Sequence, residues 1–165
     1  MCNVRAAPVR VTRCDSVKNT KIAKIKLDDL IPHEQFREEH SAELAEMIKN
    51  DKVLKRPITV YDLKGYRPGK YMIIDGHHRT QALKSLGFNF VPANVIDYFD
   101  KRIIVKSWGV EMVWDKKEIV LGALDGKLLK PKATKHIILR YKKEAAFQDN
   151  DYVEPLINYP LEDLK

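Results

Sequence analysis

Lys21 to Leu27 alternates charged and apolar residues, the period of a strand with one wet face, and it runs into Asp28-Asp29-Leu30-Ile31-Pro32. From Ser41 to Asn50 the period changes. Leu44, Met47 and Ile48 fall at i, i+3 and i+4, which predicts an amphipathic helix. Two β-rich runs follow, Pro57 to Tyr61 and Tyr71 to Ile74, separated by Lys64-Gly65-Tyr66-Arg67-Pro68-Gly69, whose glycines and proline mark a hairpin-like loop. After Asp75-Gly76 the pattern is helical again: Ala82, Leu83 and Leu86 share a face and Gly87 supplies a C-terminal cap. Val91 to Ile96 reads as a strand whose Pro92 argues for an edge position or a strand start. Ile103 to Val105 reads as a short strand, Lys116 to Leu124 as a helix closed by Gly126, and Ile137 to Tyr141 as a last apolar run. Beyond Ala146, Asp149-Asn150-Asp151 and two prolines suggest a loosely attached tail.

The order β, α, β, β, α, β predicts an α+β fold with a mixed sheet, and the remainder predicts a small C-terminal lobe. The expected organisation is a flexible basic arm over 1–20, a core over 21–100, a lobe over 101–145 and an acidic tail over 146–165. No internal repeat or low-complexity tract interrupts it.

Composition narrows the class. With 165 residues, 44% of them hydrophobic, the chain buries a real core and is no disordered tail. Its net charge of +7 attracts polyanions, nucleic acids and nucleotides alike. The surplus is uneven. Residues 1–26 hold seven basic and one acidic residue, residues 141–165 three and six, and the span between them 20 and 16. Cys2 and Cys14 lack the spacing and the partners of a zinc site, which fits a reducing compartment without structural disulfides. No apolar run approaches a membrane span or a signal peptide, so a soluble cytoplasmic protein is expected.

Candidate chemistry concentrates at Asp75-Gly76-His77-His78-Arg79, where a buried strand turns into a helix. The first N–H groups of a helix lack intrahelical partners and lie at its positive end, so anions bind there. Gly76 lets the backbone approach a phosphate, His77 and His78 can donate, Arg79 can grip two oxygens, and Asp75 could hold Mg²⁺ beside nucleotide phosphates. The structural alternative is a capping aspartate, surface histidines and an arginine paired with a carboxylate. A Walker loop and a kinase glycine-rich loop are both absent. Glu34, in Pro32-His33-Glu34, could accept a proton from an attacking hydroxyl if it faces the same cleft; otherwise it is a solvated loop residue. Lys130 to His136 offers Lys132, Thr134, Lys135 and His136 as donors to a carboxylate or phosphate, or else forms a basic surface loop. Trp108 could wall a substrate site or simply pack.

The run from Ile73 to Arg79, followed by Ala82-Leu83 and Leu86-Gly87, resembles the phosphate-binding motif of the ParB/sulfiredoxin superfamily. Pro32-His33-Glu34, Asp75 to Arg79, Asp97-Tyr98 with Ser107-Trp108, and Pro131-Lys132-Ala133-Thr134-Lys135-His136 together resemble the archaeal free serine kinases, over about Ile22 to His136. That resemblance implies transfer of a phosphoryl group from ADP or ATP to the hydroxyl of free L-serine, giving O-phosphoserine. It implies Glu34 as general base, Asp75 to Arg79 as holders of the phosphates and Mg²⁺, and Trp108, Thr134 and His136 as contacts to the amino acid, with Lys132 beside them. Sulfiredoxins carry a cysteine where His77 stands, and the chromosome-partitioning ParB proteins carry an arginine pair interrupted here by His77-His78. Fewer than 30 residues follow His136, too few for the usual DNA-reading domain. The alternative is a ParB-like nucleotide- or DNA-binding regulator without kinase activity, contacting its partner through the arm and the basic span 101–140, which holds ten basic and four acidic residues.

Overall fold

The computed structural model describes residues 21–140, 143–147 and 153–165. The basic arm and both cysteines therefore lie outside the described residues.

Among the described residues three α-helices and eleven strands form a layered α+β fold. The strands are β1 (Lys21–Lys26), β2 (Leu30–Ile31), β3 (Val53–Leu54), β4 (Ile58–Asp62), β5 (Tyr71–Asp75), β6 (Phe90–Ile96), β7 (Ile103–Ser107), β8 (Val110–Val113), β9 (Thr134–Arg140), β10 (Lys143–Ala146) and β11 (Tyr159–Pro160). The helices are α1 (Glu38–Asp51), α2 (His77–Ser85) and α3 (Lys116–Leu124). A central mixed sheet runs β1-β6-β4-β5-β2, and a second sheet runs β10-β9-β7-β8.

Alternation along the central strands decides the layering, because successive side chains point to opposite faces. Ile58, Val60 and Ile73 face one core with Ala45 and Ile48 of α1 and Ala82 and Leu83 of α2. Met72 and Ile74 face the other, with Ile103 and Val105 of β7, Ile119 and Val120 of α3, and Ile138 of β9. The central strands are thus covered on both sides, which explains why their apolar runs are nearly continuous.

Two expectations need correction, and two strands went unpredicted. β6 is an interior strand: it pairs with β1 on one side and β4 on the other, and Pro92 lies one residue ahead of Ala93, where the β4 ladder begins. β8 and β10 carry no clear pattern because β8 is exposed along its whole length and both lie at sheet edges. The described part of the tail is not loose. Val153, Glu154 and Leu164 are buried, β11 pairs with β3, and Asn94 Nδ2 donates to the Val153 carbonyl at 2.6 Å. Among the described residues no helix is long and apolar enough to cross a membrane.

Candidate active site

Where β5 turns into α2, Gly76 adopts φ +102°, a left-handed conformation that glycine tolerates and other residues resist. A Cβ there would stand 2.6 Å from Ile58 Cγ2, so the turn presses against the start of β4. This close packing is what requires the glycine, at the entrance to a first helical turn whose N–H groups lack intrahelical partners.

Pro32-His33-Glu34 leaves β2 and is bound to the second sheet's approach loop by Gln35 N–H to Leu129 O and Leu129 N–H to His33 O, both 2.9 Å. The same segment touches α2, since His77 Nε2 accepts the backbone N–H groups of His33 at 3.3 Å and Glu34 at 3.4 Å. His77 therefore carries its proton on Nδ1. His78 Nε2 likewise accepts Arg37 N–H at 3.0 Å, and its ring stands edge-on to His40 at 4.6 Å. Burial pushes both histidines below their ordinary value, His77 far below, so they are neutral donors.

Glu34 accepts three hydrogen bonds from the β9 side. Its Oε1 accepts Thr134 N–H at 2.7 Å and the Thr134 hydroxyl, and its Oε2 accepts Lys132 N–H at 3.1 Å. Burial pushes this carboxyl up, but hydrogen bonds and charge from His33 and donors from Thr134 outweigh it and hold it below the usual range. His136 is buried, driven well down by desolvation, and bonded through Nε2 to the hydroxyl of buried Tyr98 at 3.0 Å. Burial raises Tyr98 far above a normal phenol, so it donates and His136 keeps its proton on Nδ1. Trp108 is fixed by its Nε1 donating to Thr134 O at 3.2 Å, with the Lys135 ammonium 4.6 Å from its ring centroid.

One cavity of about 280 Å³ is lined by Glu34, Asp75, Gly76, His77, His78 and Arg79 together with Trp108, Lys132, Thr134 and His136. The fold thus brings together every candidate from four separate stretches of sequence. Their roles differ from expectation at Arg79. Its Nη2 donates to Asp75 Oδ2 and Glu154 Oε2, each at 2.8 Å, and its Nη1 donates to the carbonyls of Pro57 and Arg56. A guanidinium so engaged fixes the turn, the pairing with a carboxylate that is the alternative reading of Arg79. Glu154 was not visible as a site-supporting residue: it lies in the acidic tail, without periodicity, yet is 1% exposed and also accepts the Thr59 hydroxyl at 3.1 Å. His40 and Phe147, further cavity walls, carried no signal beyond their helix and tail positions.

Asp75 has one oxygen bound by Arg79 and is half-buried. Among the described residues no group of three or more His, Cys, Asp or Glu could enclose a metal. That donor set suits Mg²⁺, which takes one or two protein carboxylates and completes its shell with phosphates and water.

A family profile described as the ParB N-terminal domain matches residues 10–108. An ATP-dependent L-serine kinase of Staphylothermus marinus is 40% identical over 92 residues, 56% of this chain and 36% of that protein. The ADP-dependent L-serine kinase SerK of Thermococcus kodakarensis is 30% identical over 96 residues, 58% of this chain and 39% of that protein. The matched stretch thus spans little more than a third of these curated relatives. A solved structure of a free serine kinase in complex with AMP superposes with a TM-score of 0.71 at 16% identity, covering 90% of this chain and 95% of that one, a likeness of fold.

Proposed function

The chain belongs to the ParB N-terminal domain family, and from that premise we propose that it is a small-molecule kinase moving a phosphoryl group from ADP or ATP to the hydroxyl of free L-serine, giving O-phosphoserine. The observation that carries this reading is the shared cavity, in which an ionised carboxylate, Glu34, faces a helix N-terminus, Gly76 to His78. Phosphoryl transfer asks a protein for positioning and charge neutralisation more than for covalent chemistry.

In this reading residues 21–100 hold the nucleotide and residues 101–145 hold the amino acid. The N–H groups and neutral imidazoles of the α2 turn donate to the phosphates. Asp75 would hold Mg²⁺, which when bound neutralises phosphate charge. Glu34 takes the hydroxyl proton as the serine oxygen attacks. Trp108, Lys132, Thr134 and His136 wall the acceptor side, with His136 Nδ1–H and the Lys132 ammonium suited to a carboxylate. The names of the relatives support serine as acceptor and either nucleotide as donor.

Incubating folded protein with L-serine, Mg²⁺ and either ADP or ATP should produce O-phosphoserine, read by ³¹P NMR. No product with either donor overturns the reading. Glu34→Ala should lower turnover by roughly 10²–10⁴-fold, the usual worth of a positioned base. It should leave nucleotide affinity nearly intact. Salt-dependent duplex binding without turnover would favour a regulatory ParB-like protein instead.

A further inference from the structure

Beneath Glu34 lies a second buried group with no assigned task. His33 is 1% exposed, and its two ring nitrogens are both engaged: Nδ1 stands 2.6 Å from the Ile73 carbonyl and Nε2 stands 3.0 Å from Thr134 Oγ1. Counting hydrogens narrows its state to two arrangements. The Ile73 carbonyl has none to give, so Nδ1 carries one. The single Thr134 hydroxyl hydrogen is used toward Glu34 Oε1. The contact between His33 Nε2 and Thr134 Oγ1 then needs a hydrogen on Nε2, which makes His33 an imidazolium, 3.6 Å from Glu34 Oε1.

The opposite arrangement, with the proton on Glu34 and the hydroxyl turned to His33, fits the surroundings less well. Oε1 already receives Thr134 N–H and Oε2 receives Lys132 N–H, and donors converging on a carboxyl favour its charged form.

We propose that His33 is the charge and positioning partner of Glu34, coupled to it through the Thr134 hydroxyl, so that the three residues share one proton and present Glu34 Oε2 to the cavity as the basic oxygen. The catalytic consequence rests on the kinase reading. Oε1 is saturated by Thr134 and faces His33, whereas Oε2 has one backbone donor. In the transfer step the serine O–H bond breaks with its proton passing to Oε2, the serine oxygen bonds to the terminal phosphorus, and the bond from that phosphorus to the bridging oxygen breaks, releasing AMP or ADP. The proton on His33 Nε2 stays in place throughout.

Other titratable groups face this pair: His77 and His78 from α2, Tyr98 after β6, and Lys132 and His136 from the β9 side. His77 and His136 use Nε2 as acceptors, and Tyr98 is held as a neutral phenol, so these three add no charge. His78 is likewise a neutral acceptor, and the cations that line the cavity on the β9 side are Lys132 and Lys135.

The test has two arms. ¹⁵N NMR of imidazole-labelled full chain at neutral pH should show both His33 nitrogens protonated, and Glu34→Gln should remove the proton from Nε2. A neutral His33 in the wild type, unchanged by Glu34→Gln, overturns the coupling whether or not the protein phosphorylates serine. In kinetics, His33→Gln and Thr134→Val should each move the acid limb of the kcat/KM profile upward by roughly one pH unit, an ordinary size for loss of a charge partner. They should lower kcat about 10- to 100-fold with nucleotide KM within about twofold, and Thr134→Ser should restore the limb. An acid limb that stays in place overturns the proposal. Should His33→Gln fail to fold, Thr134→Val and Thr134→Ser carry the same comparison. Absence of serine phosphorylation by the wild type would instead sink the kinase reading and leave the NMR arm to decide the coupling.

Discussion

Glu154 offers the sharpest test of how the phosphate turn is held. It shares the Arg79 Nη2 with Asp75, two carboxyl groups on one guanidinium nitrogen, in a site where Glu154 is 1% exposed. Burial pushes its carboxyl from an ordinary 4.5 up to about 8, against the pull of Arg79 and aided by the nearby Asp75 charge. The folded protein therefore holds this proton over a range in which the unfolded chain has lost it. Stability from this source is fully present below pH 4.5 and is lost as the pH rises through 8, because the folded state binds more protons than the unfolded one between those limits. At roughly 1.4 kcal/mol per pH unit the full loss is about 5 kcal/mol. Glu154→Gln keeps the shape and is neutral at every pH, so it should cost little at pH 4 and should abolish the loss. The assay is urea denaturation of both proteins from pH 4 to pH 9, reading the wild-type minus variant difference, which cancels the other titrating groups. That difference should fall by several kcal/mol across the range. A change under about 1 kcal/mol would refute the claim that burial keeps Glu154 protonated beside Asp75 and Arg79.

Two further outcomes follow from the same turn. Gly76→Ala should destabilise by roughly 2–5 kcal/mol in chemical denaturation, combining left-handed strain with a methyl forced against Ile58; Ile58→Val in the same chain should recover little, because valine keeps the Cβ and Cγ atoms that the methyl meets. His77 and His136 are held neutral by burial, their folded values lying below those of the unfolded chain, so their contribution is present above about pH 6.5 and is lost as the pH falls below it. The double variant His77→Gln/His136→Gln should show a shallower fall in stability between pH 6.5 and pH 5 than the wild type, opposite in sign to the Glu154 effect.

The alternation of Lys21 to Leu27, the helical spacing of Leu44, Met47 and Ile48, and the glycine loop between β4 and β5 are short-range patterns, and each became the element it predicts. The same holds for the strand-to-helix turn at Asp75-Gly76, because backbone sterics and missing N–H partners are local properties. Together with the resemblance of four motifs to one family, these nominated ten cavity residues. Local patterns failed where an element owes its existence to a partner. β8 and β10 are edge strands defined by what they pair with, and β6 tolerates Pro92 because its second ladder starts one residue later.

What the sequence could not decide was charge state and employment. Arg79, Glu34 and His33 are written plainly in it, but whether an arginine grips a ligand or a carboxylate depends on Glu154, 75 residues further along the chain. Whether a glutamate is a solvated loop residue or a base depends on Thr134, 100 residues away. Hydrogen bonding and desolvation act through space over a few ångströms, so sequence determines which groups are present while only the tertiary structure determines which of them are already spent on each other.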